Sequence, residues 1–300
     1  AFVIDQSTKD KICSQASNSA ELLVPLLQGT DIQRWQPDFQ GTWLIYIPKN
    51  KIDIDHYPAI RDWLMPFKEK LERRATKQEW FELQQAQEAY FPYLSHPKIF
   101  YAHFNRGYFC RLDDTYACND KGYFIPTDSN FLLALLISKA IWFILSNLAP
   151  QVIGGSREVR VQYVECLPIP SAASVDEVML GEFAKAAQAA AKERYRLQQE
   201  ITRRIPDLAP DPASAKLTNK LKEWWVLPDF AAFQKEVKKA LKAAIPLQER
   251  NEWESWIAKT RAEINALTAE IARLEAEINA KVYALFDLTP EEITLLEANI

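Results

Sequence analysis

The stretch that most invites a chemical interpretation is Gly154-Gly155-Ser156-Arg157, with a second arginine at Arg160. The chain of 300 residues contains seven glycines, so two adjacent ones indicate a tight turn or a close approach of the backbone to a ligand. Exposed N–H groups in such a turn, beside two guanidinium groups, suit a phosphate. A turn into an ordinary edge strand has the same residue types, so this alternative stays open.

The residues after this turn alternate in character, which predicts a β-strand over 157–164. In a strand, successive side chains point to opposite faces. The alternation therefore predicts Val159, Val161 and Tyr163 on one face, with Arg160 and Gln162 on the other.

Two further segments combine basic and aromatic residues. Residues 72–85 contain Arg73, Arg74, Lys77, Trp80, Phe81, Gln84 and Gln85. Residues 96–111 contain Lys98, Arg106, Arg111 and two histidines, with no acidic residue. Arginine, lysine and glutamine can grip phosphates or read base edges, and aromatic rings add stacking. Either segment alone could equally be a charged surface over an aromatic core.

No familiar catalytic motif is present in the sequence. It has no GxSxG, P-loop, HExxH or GxGxxG pattern, and no Asn-Pro-Pro-aromatic motif of amino-methyltransferases. Asp229, Glu236 and Lys238 superficially resemble a nuclease metal site, but their segment has helical periodicity, which favours a solvated helix face. We therefore predict no catalytic residues, and a cryptic nuclease is the weakest of three hypotheses.

The cysteines and histidines do not have metal-ligand spacing. The four cysteines are scattered without a CxxC pair, which is typical of a reduced, cytoplasmic protein, and the chain has three histidines. We therefore predict no bound metal.

The net charge of −4 argues weakly against an obligate nucleic-acid binder, but binding depends on where the cations lie.

The apolar run 131–149 has the length of a membrane span, yet it contains Lys139 and follows good N-cap residues. A helix buried against a sheet is the better interpretation, so no membrane partner is predicted.

The chain begins at Ala1, and we expect a piece of a longer protein.

The composition changes near residue 171, which predicts two domains, 1–170 and 171–300. Strand-like runs lie at 41–47, 97–104, 107–112, 122–126 and 157–164, and amphipathic helices at 57–74 and 78–90. After residue 171 the pattern is helical, in 176–205 and 251–286. The predicted fold class is α+β: a mixed β-sheet with packed helices, followed by an all-α spacer.

A seven-residue repeat runs through 251–286. Its isoleucines and leucines occupy the alternating positions of a coiled-coil seam: Ile257, Ile264, Ile271, Ile278, Leu267 and Leu274. The partner could be a second chain, giving an oligomer, or the helix 176–205 folded back antiparallel. The long break between the two segments favours the antiparallel pair.

The order of these segments resembles a known family. The series begins with "LLVPLLQGTDIQRW" (22–35), "ERRATKQEWFELQQ" and "HPKIFYAHF". It continues with "GYFIP", "NFLLALLISKAIWFIL" and "GGSREVRVQYVECLPIP". It is similar to the TaqI-like C-terminal specificity domain, the target-recognition part of adenine-specific DNA methyltransferases and of fused type IIG restriction–modification enzymes. The ending 280–300 resembles the C-terminus of those fused enzymes.

This resemblance implies sequence-specific recognition of double-stranded DNA. The parent enzyme would transfer a methyl group from S-adenosylmethionine to adenine N6. A parent that also cleaves DNA would use Mg²⁺ for the cleavage. Both cofactors would belong to upstream domains, including a methyltransferase domain that is a further expected partner. The helical residues 171–300 would be the spacer between the recognition and catalytic domains.

Carried onto this sequence, the resemblance makes "GTDIQRW" architectural, with Asp31 pairing Arg34 and Trp35 packed inside. The candidate DNA contacts are Arg73, Arg74, Lys77, Trp80, Gln84, Arg106, Tyr108, Gly155, Ser156, Arg157, Arg160 and Gln162. The main alternative is a coiled-coil interaction module that assembles a complex without DNA specificity.

Overall fold

The computed structural model describes residues 1–84, 86 and 88–300 and confirms the α+β fold class. The strands are β1 (Val3–Asp5), β2 (Leu23–Leu27), β3 (Thr42–Ile45), β4 (Lys98–Ala102), β5 (Phe104–Asn105), β6 (Phe109–Leu112), β7 (Ala117–Cys118), β8 (Gly122–Pro126) and β9 (Arg157–Glu158). The helices up to residue 164 are α1 (Gln6–Gln15), α2 (Pro58–Leu64), α3 (Lys68–Glu72), α4 (Phe91–Leu94), α5 (Asn130–Ile137), α6 (Lys139–Leu148) and α7 (Val161–Val164). The later helices are α8 (Ser174–Thr202), α9 (Asn219–Lys222), α10 (Phe230–Leu241), α11 (Arg250–Leu285) and α12 (Pro290–Glu297).

The strands form three small sheets. The first is mixed, in the order β1-β3-β2-β7, with β7 parallel to β2 and the other neighbours antiparallel. The second is antiparallel, in the order β6-β4-β8. The third is the pair β5–β9, where Phe104 faces Glu158 and Asn105 faces Arg157. This short pair brings the 103–108 segment and the double-glycine segment together.

The two longest helices, α8 and α11, pack against each other in antiparallel orientation. Asp176 at the start of α8 lies 3.5 Å from Lys281 near the end of α11, and Arg194 donates to Thr268 midway. The four repeat isoleucines of α11 are at most 5% exposed. The predicted antiparallel pair is therefore confirmed, and the repeat faces α8 in the same chain.

One apolar core joins the second sheet to the helices. It includes Ile99 and Phe109 from the sheet, Leu136 from α5, Ala187 from α8 and Ile271 from α11. A separate core around Trp224 and Phe233 closes the helical region beyond α8. The second sheet, which contains β4 and β6, is thus packed on the helices.

The apolar run predicted as one helix over 131–149 is two helices, α5 and α6, with a bend of 65° between them. Ser138 explains the break, because its hydroxyl donates to Leu135 O and accepts from Ile141 N, so it ends one helix and caps the next. Within the described residues no single helix has the length and apolar composition of a membrane span. The bent pair meets both criteria only when taken together.

The predicted helix over 78–90 is wrong in the residues that the structure describes; Gln85 and Gln87 lie outside them. The segment forms turns, and helical structure resumes only at α4. The backbone groups of the segment form hydrogen bonds with residues outside it: Leu83 N donates to Ile47 O, and Arg74 donates to the carbonyls of Glu79, Trp80 and Glu82. The helical i→i−4 pattern is lost as a result.

The predicted strand over 157–164 is wrong beyond Glu158. The strand β9 is as short as its partner β5, and Arg160 is the N-cap residue of helix α7. The predicted alternation of Val161 and Tyr163 against Gln162 therefore does not occur. The chain turns so that Tyr163 and Val164 pack against the main core.

The predicted pair between Asp31 and Arg34 is also wrong. The Arg34 Nε atom donates to Glu275 of α11 at 2.6 Å, and its Nη1 and Nη2 atoms donate to Gly107 O and Ile137 O. Asp31 is buried and accepts from Gln28 N instead. Trp35 is 1% exposed and also donates to Glu275, which confirms that this segment is architectural.

Candidate nucleic-acid interface

The double-glycine turn has a backbone conformation that requires glycine. Gly154 and Gly155 have φ angles of +83° and +78°, and both residues are exposed. The turn closes where Val152 N donates to Ser156 O at 2.9 Å. A Cβ atom at Gly155 would meet no atom within 4 Å, so this side of the turn is open to a ligand.

The side chain of Arg106 connects its own turn, residues 105–108, to the double-glycine turn. Its Nη2 atom donates to Gly154 O at 2.6 Å, and its Nε atom donates to Ser156 Oγ at 3.1 Å. The buried Asn105 side chain holds the Arg106 turn, because it accepts from Tyr108 N and donates to Tyr108 O. Arg106 is therefore exposed yet oriented by two hydrogen bonds, and these use two of the five N–H donors of its guanidinium group.

Arg157 differs from its neighbours because its charge has no partner. It lies in β9, half-buried, between the glycine turn and Glu158. Within residues 1–84, 86 and 88–300, no hydrogen bond, ion pair or ring contact involves its guanidinium group. An unpaired guanidinium at a rigid turn is available to an external anion.

Arg160 and His103 share one carboxylate oxygen. Glu158 Oε1 accepts from Arg160 at 2.6 Å and lies 3.0 Å from His103 Nε2. The hydrogen bond from Arg160, and then that with His103, hold the pKa of Glu158 below its usual range. The same carboxylate raises the pKa of Arg160. The charge of Arg160 is thus partly compensated, and a phosphate would compete with Glu158 for it.

Phe104 adds an exposed aromatic ring to the same surface, and sequence analysis missed it. The ring is 52% exposed and stacks on His103, with centroids 4.7 Å apart and planes 12° apart. His103 in turn is fixed by its contact with Glu158. A rigid, exposed ring beside cations can stack on a base or wedge between base pairs. In the sequence, Phe104 lies directly before Asn105-Arg106-Gly107, and this position next to a turn could have indicated an exposed ring.

Seven of the predicted contacts meet in this region, which we call the glycine-turn surface. It consists of Phe104, Arg106, Tyr108, Gly155, Ser156, Arg157, Arg160 and Gln162. Ser156 and Tyr108 are half-buried, and Gln162 is exposed on α7. The pair β5–β9 is the element that brings the two sequence segments together.

The remaining predicted contacts lie on a separate loop after α3. Arg73 is exposed and 3.8 Å from Glu69, and Lys77 and Gln84 are exposed. Arg74 donates to four backbone carbonyls, and Trp80 is half-buried against Phe81. Arg74 therefore stabilises its loop and does not offer a free cation.

The basic segment 96–111 also divides into structural and exposed cations. Lys98 is fully buried and donates to Leu94 O, His96 O and Asp114 O, and burial lowers its pKa to about 8. Arg111 pairs with Asp113 at 2.8 Å. Arg106 is the exposed cation of this segment.

The residues considered for a nuclease have structural roles. Asp229 caps α10 by accepting from Ala232 N, and Glu236 is 7% exposed and accepts from Thr218. They are two turns apart on one helix, roughly 10 Å along its axis. Across the described residues, no three His, Cys, Asp or Glu side chains cluster as a metal site would require.

Comparisons with known proteins relate the chain to a sequence family and to solved structures. Residues 174–282, from the start of α8 nearly to the end of α11, match a family described as a domain of unknown function, DUF8810. A solved structure of the Type IIL restriction-modification enzyme MmeI in complex with DNA aligns with a TM-score of 0.48 and 11% identity. That alignment covers 99% of this chain and 34% of the enzyme, so the chain spans about a third of its length. No curated protein matches the chain.

Proposed function

We propose that the chain recognises double-stranded DNA as the specificity part of an adenine-N6 DNA methyltransferase or a fused type IIG restriction–modification enzyme. One observation carries the proposal: Arg157, whose guanidinium has no partner among the described residues, lies at an open glycine turn near two further exposed arginines and an exposed stacked ring. The order of sequence segments that resembles the TaqI-like specificity domain supports the same assignment.

In this proposal, Arg157 and Arg160 contact phosphates, and the open turn lets the DNA backbone approach closely. Phosphate contacts fix the position of a protein on the duplex, while sequence is read at base edges. Gln162, next to them on α7, and Phe104 are the side chains placed to reach a base.

The methyl transfer itself would take place in another part of the parent protein. S-adenosylmethionine would be held by an upstream methyltransferase domain, and Mg²⁺ by a nuclease domain where one exists. The described residues offer neither an Asn-Pro-Pro-aromatic motif nor a cluster of metal-ligating side chains. In this proposal, the methyltransferase domain of the parent protein contains Asn-Pro-Pro-Tyr or Asn-Pro-Pro-Phe, and sequencing the complete gene would test this.

The test is a salt titration of duplex binding with the Arg157→Ala/Arg160→Ala variant. Each phosphate contact contributes about one unit to the slope of log affinity against log salt, so the slope should fall by about two. The matched control is Arg196→Ala/Arg273→Ala, which removes the same charge from the exposed faces of α8 and α11. The control should leave the slope near that of the original protein.

An unchanged slope in the Arg157/Arg160 variant would contradict the phosphate assignment. Equal losses in both variants would show that only net charge matters, which would equally count against this surface.

A further inference from the structure

A second concave surface lies away from the glycine turn, between the loop 33–40, helix α8 and the segment 215–225. Its volume is about 820 Å³. Small-molecule and cofactor sites have volumes of roughly 300–1,000 Å³, so this cleft has the size of a ligand site. Helix α8 and residues 215–225 fall within the range that matches DUF8810.

Carboxamide groups dominate the polar part of this cleft. They come from Gln33, Gln36, Gln40, Gln198, Gln199 and Asn219. The three loop glutamines donate their Nε2 atoms to nearby backbone carbonyls, which fixes their orientation. The side-chain amides of the other three make no hydrogen bond within the described residues. A carboxamide carries a donor and an acceptor side by side, which is the pattern that base edges pair with.

Aromatic rings and cations complete the lining. Tyr195 and Trp225 contribute half-buried rings, and the hydroxyl of Tyr195 donates to Asp38 at 3.2 Å. Lys222 is exposed without an ion pair in the described chain, and Arg194 is half-buried with one weak contact, to Thr268 at 3.4 Å. The acidic groups are Asp38, which is engaged by Tyr195, and Glu223.

The side chains that line the cleft have a small positive balance, whereas the whole chain is at −4. Arg34, Arg194 and Lys222 stand against Asp38 and Glu223, a balance of +1. Arg34 is paired with Glu275, so Arg194 and Lys222 are the lining cations that an anion could contact. A local positive potential attracts anions despite the net charge.

We propose that this cleft binds a nucleotide unit. The base would stack on Trp225 or Tyr195, its edge would pair with the carboxamides, and the phosphate would contact Lys222 and Arg194. A free nucleotide and a unit within a single strand share this chemistry. The inference stands on the cleft alone and does not require duplex recognition at the glycine turn.

The test uses fluorescence anisotropy with a labelled, non-self-complementary single-stranded DNA of mixed sequence. The variant is Gln199→Ala/Lys222→Ala, and the matched control is Gln234→Ala/Lys235→Ala on α10, which removes the same groups outside the cleft. Loss of one hydrogen bond to the base edge and one phosphate contact should weaken binding roughly tenfold in the variant and less than about twofold in the control. Unlabelled AMP and unlabelled strand, added as competitors, distinguish the two sources of the ligand.

Equal losses of affinity in variant and control would overturn the proposal, because they would show that the loss of positive charge, and not the cleft, weakens binding. The proposal would also be overturned if the protein bound neither the strand nor AMP. The same holds if polyglutamate displaced the labelled strand as readily as the unlabelled strand does. The Arg157→Ala/Arg160→Ala variant should keep strand binding, while Gln199→Ala/Lys222→Ala should keep duplex binding. Failure of one proposal is therefore distinguishable from failure of the other.

Discussion

The loop 73–84 and the glycine-turn surface look alike in sequence but use their arginines in opposite ways. In the loop, Arg74 donates to the carbonyls of Leu71, Glu79, Trp80 and Glu82. At the glycine turn, Arg157 has no partner among the described residues. Both segments combine cations with aromatic rings, yet Arg74 is engaged by its own loop, whereas no described residue engages the guanidinium of Arg157.

The role of each arginine depends on whether the surrounding backbone leaves carbonyl groups without partners. Residues 73–84 form turns, so their carbonyls lack helical partners and accept from Arg74 instead. At the glycine turn the backbone carbonyls are already engaged, for example Ser156 O with Val152 N and Gly154 O with Arg106. Arg157 is therefore left for an external anion.

The largest expected effect is on the loop. Arg74→Ala should lower the free energy of unfolding by about 2 kcal/mol, because partly buried carbonyls lose a charged donor. Chemical denaturation measures this, and duplex binding by the folded protein should be unchanged.

Arg73→Ala is the neighbouring control, because that side chain is 81% exposed and, among the described residues, forms an ion pair with Glu69 alone, at 3.8 Å. Its effect on stability should stay within about 0.5 kcal/mol. Equal effects of the two substitutions would show that the hydrogen bonds of Arg74 do not stabilise the loop.

A smaller effect is expected from the exposed ring of the glycine-turn surface. Phe104→Ala should weaken duplex binding roughly fivefold, since a ring that stacks on bases contributes about 1 kcal/mol or more. Phe104→Trp should restore the affinity. If neither substitution changes the affinity measured by anisotropy, Phe104 does not contact DNA.

The smallest effect should come from Glu158. Glu158→Gln removes a negative charge next to Arg160 and Arg157, so duplex affinity at low salt should rise roughly two- to fivefold. Glu177→Gln makes the same charge change on exposed α8 and should have little effect. A decrease in affinity for Glu158→Gln would mean that the carboxylate holds Arg160 in its binding orientation.

The sequence predicted the features that depend on local periodicity. The repeat of Ile257, Ile264, Ile271 and Ile278 predicted a buried stripe and an antiparallel partner, because side chains seven residues apart share a helix face. The glycine turn was equally visible, because consecutive positive φ angles require glycine.

Features that depend on distant partners were not predictable in this way. Strand β9 ends at Glu158 because its partner β5 has two residues, and the alternation beyond it is fortuitous. The ion pair between Arg34 and Glu275 joins residues 241 positions apart, so local spacing suggested Asp31 instead. The domain boundary near 171 and the oligomeric state stay predictions.

Selection from a randomised duplex library would test DNA recognition by the glycine-turn surface. The purified chain would be incubated with the library at low salt, and the bound duplexes sequenced, in parallel with the Arg157→Ala/Arg160→Ala and Arg196→Ala/Arg273→Ala variants. We expect an enriched motif of several base pairs for the original chain and for Arg196→Ala/Arg273→Ala, and loss of that motif in Arg157→Ala/Arg160→Ala. No enrichment and no salt-dependent retention of duplexes would contradict DNA recognition by this chain.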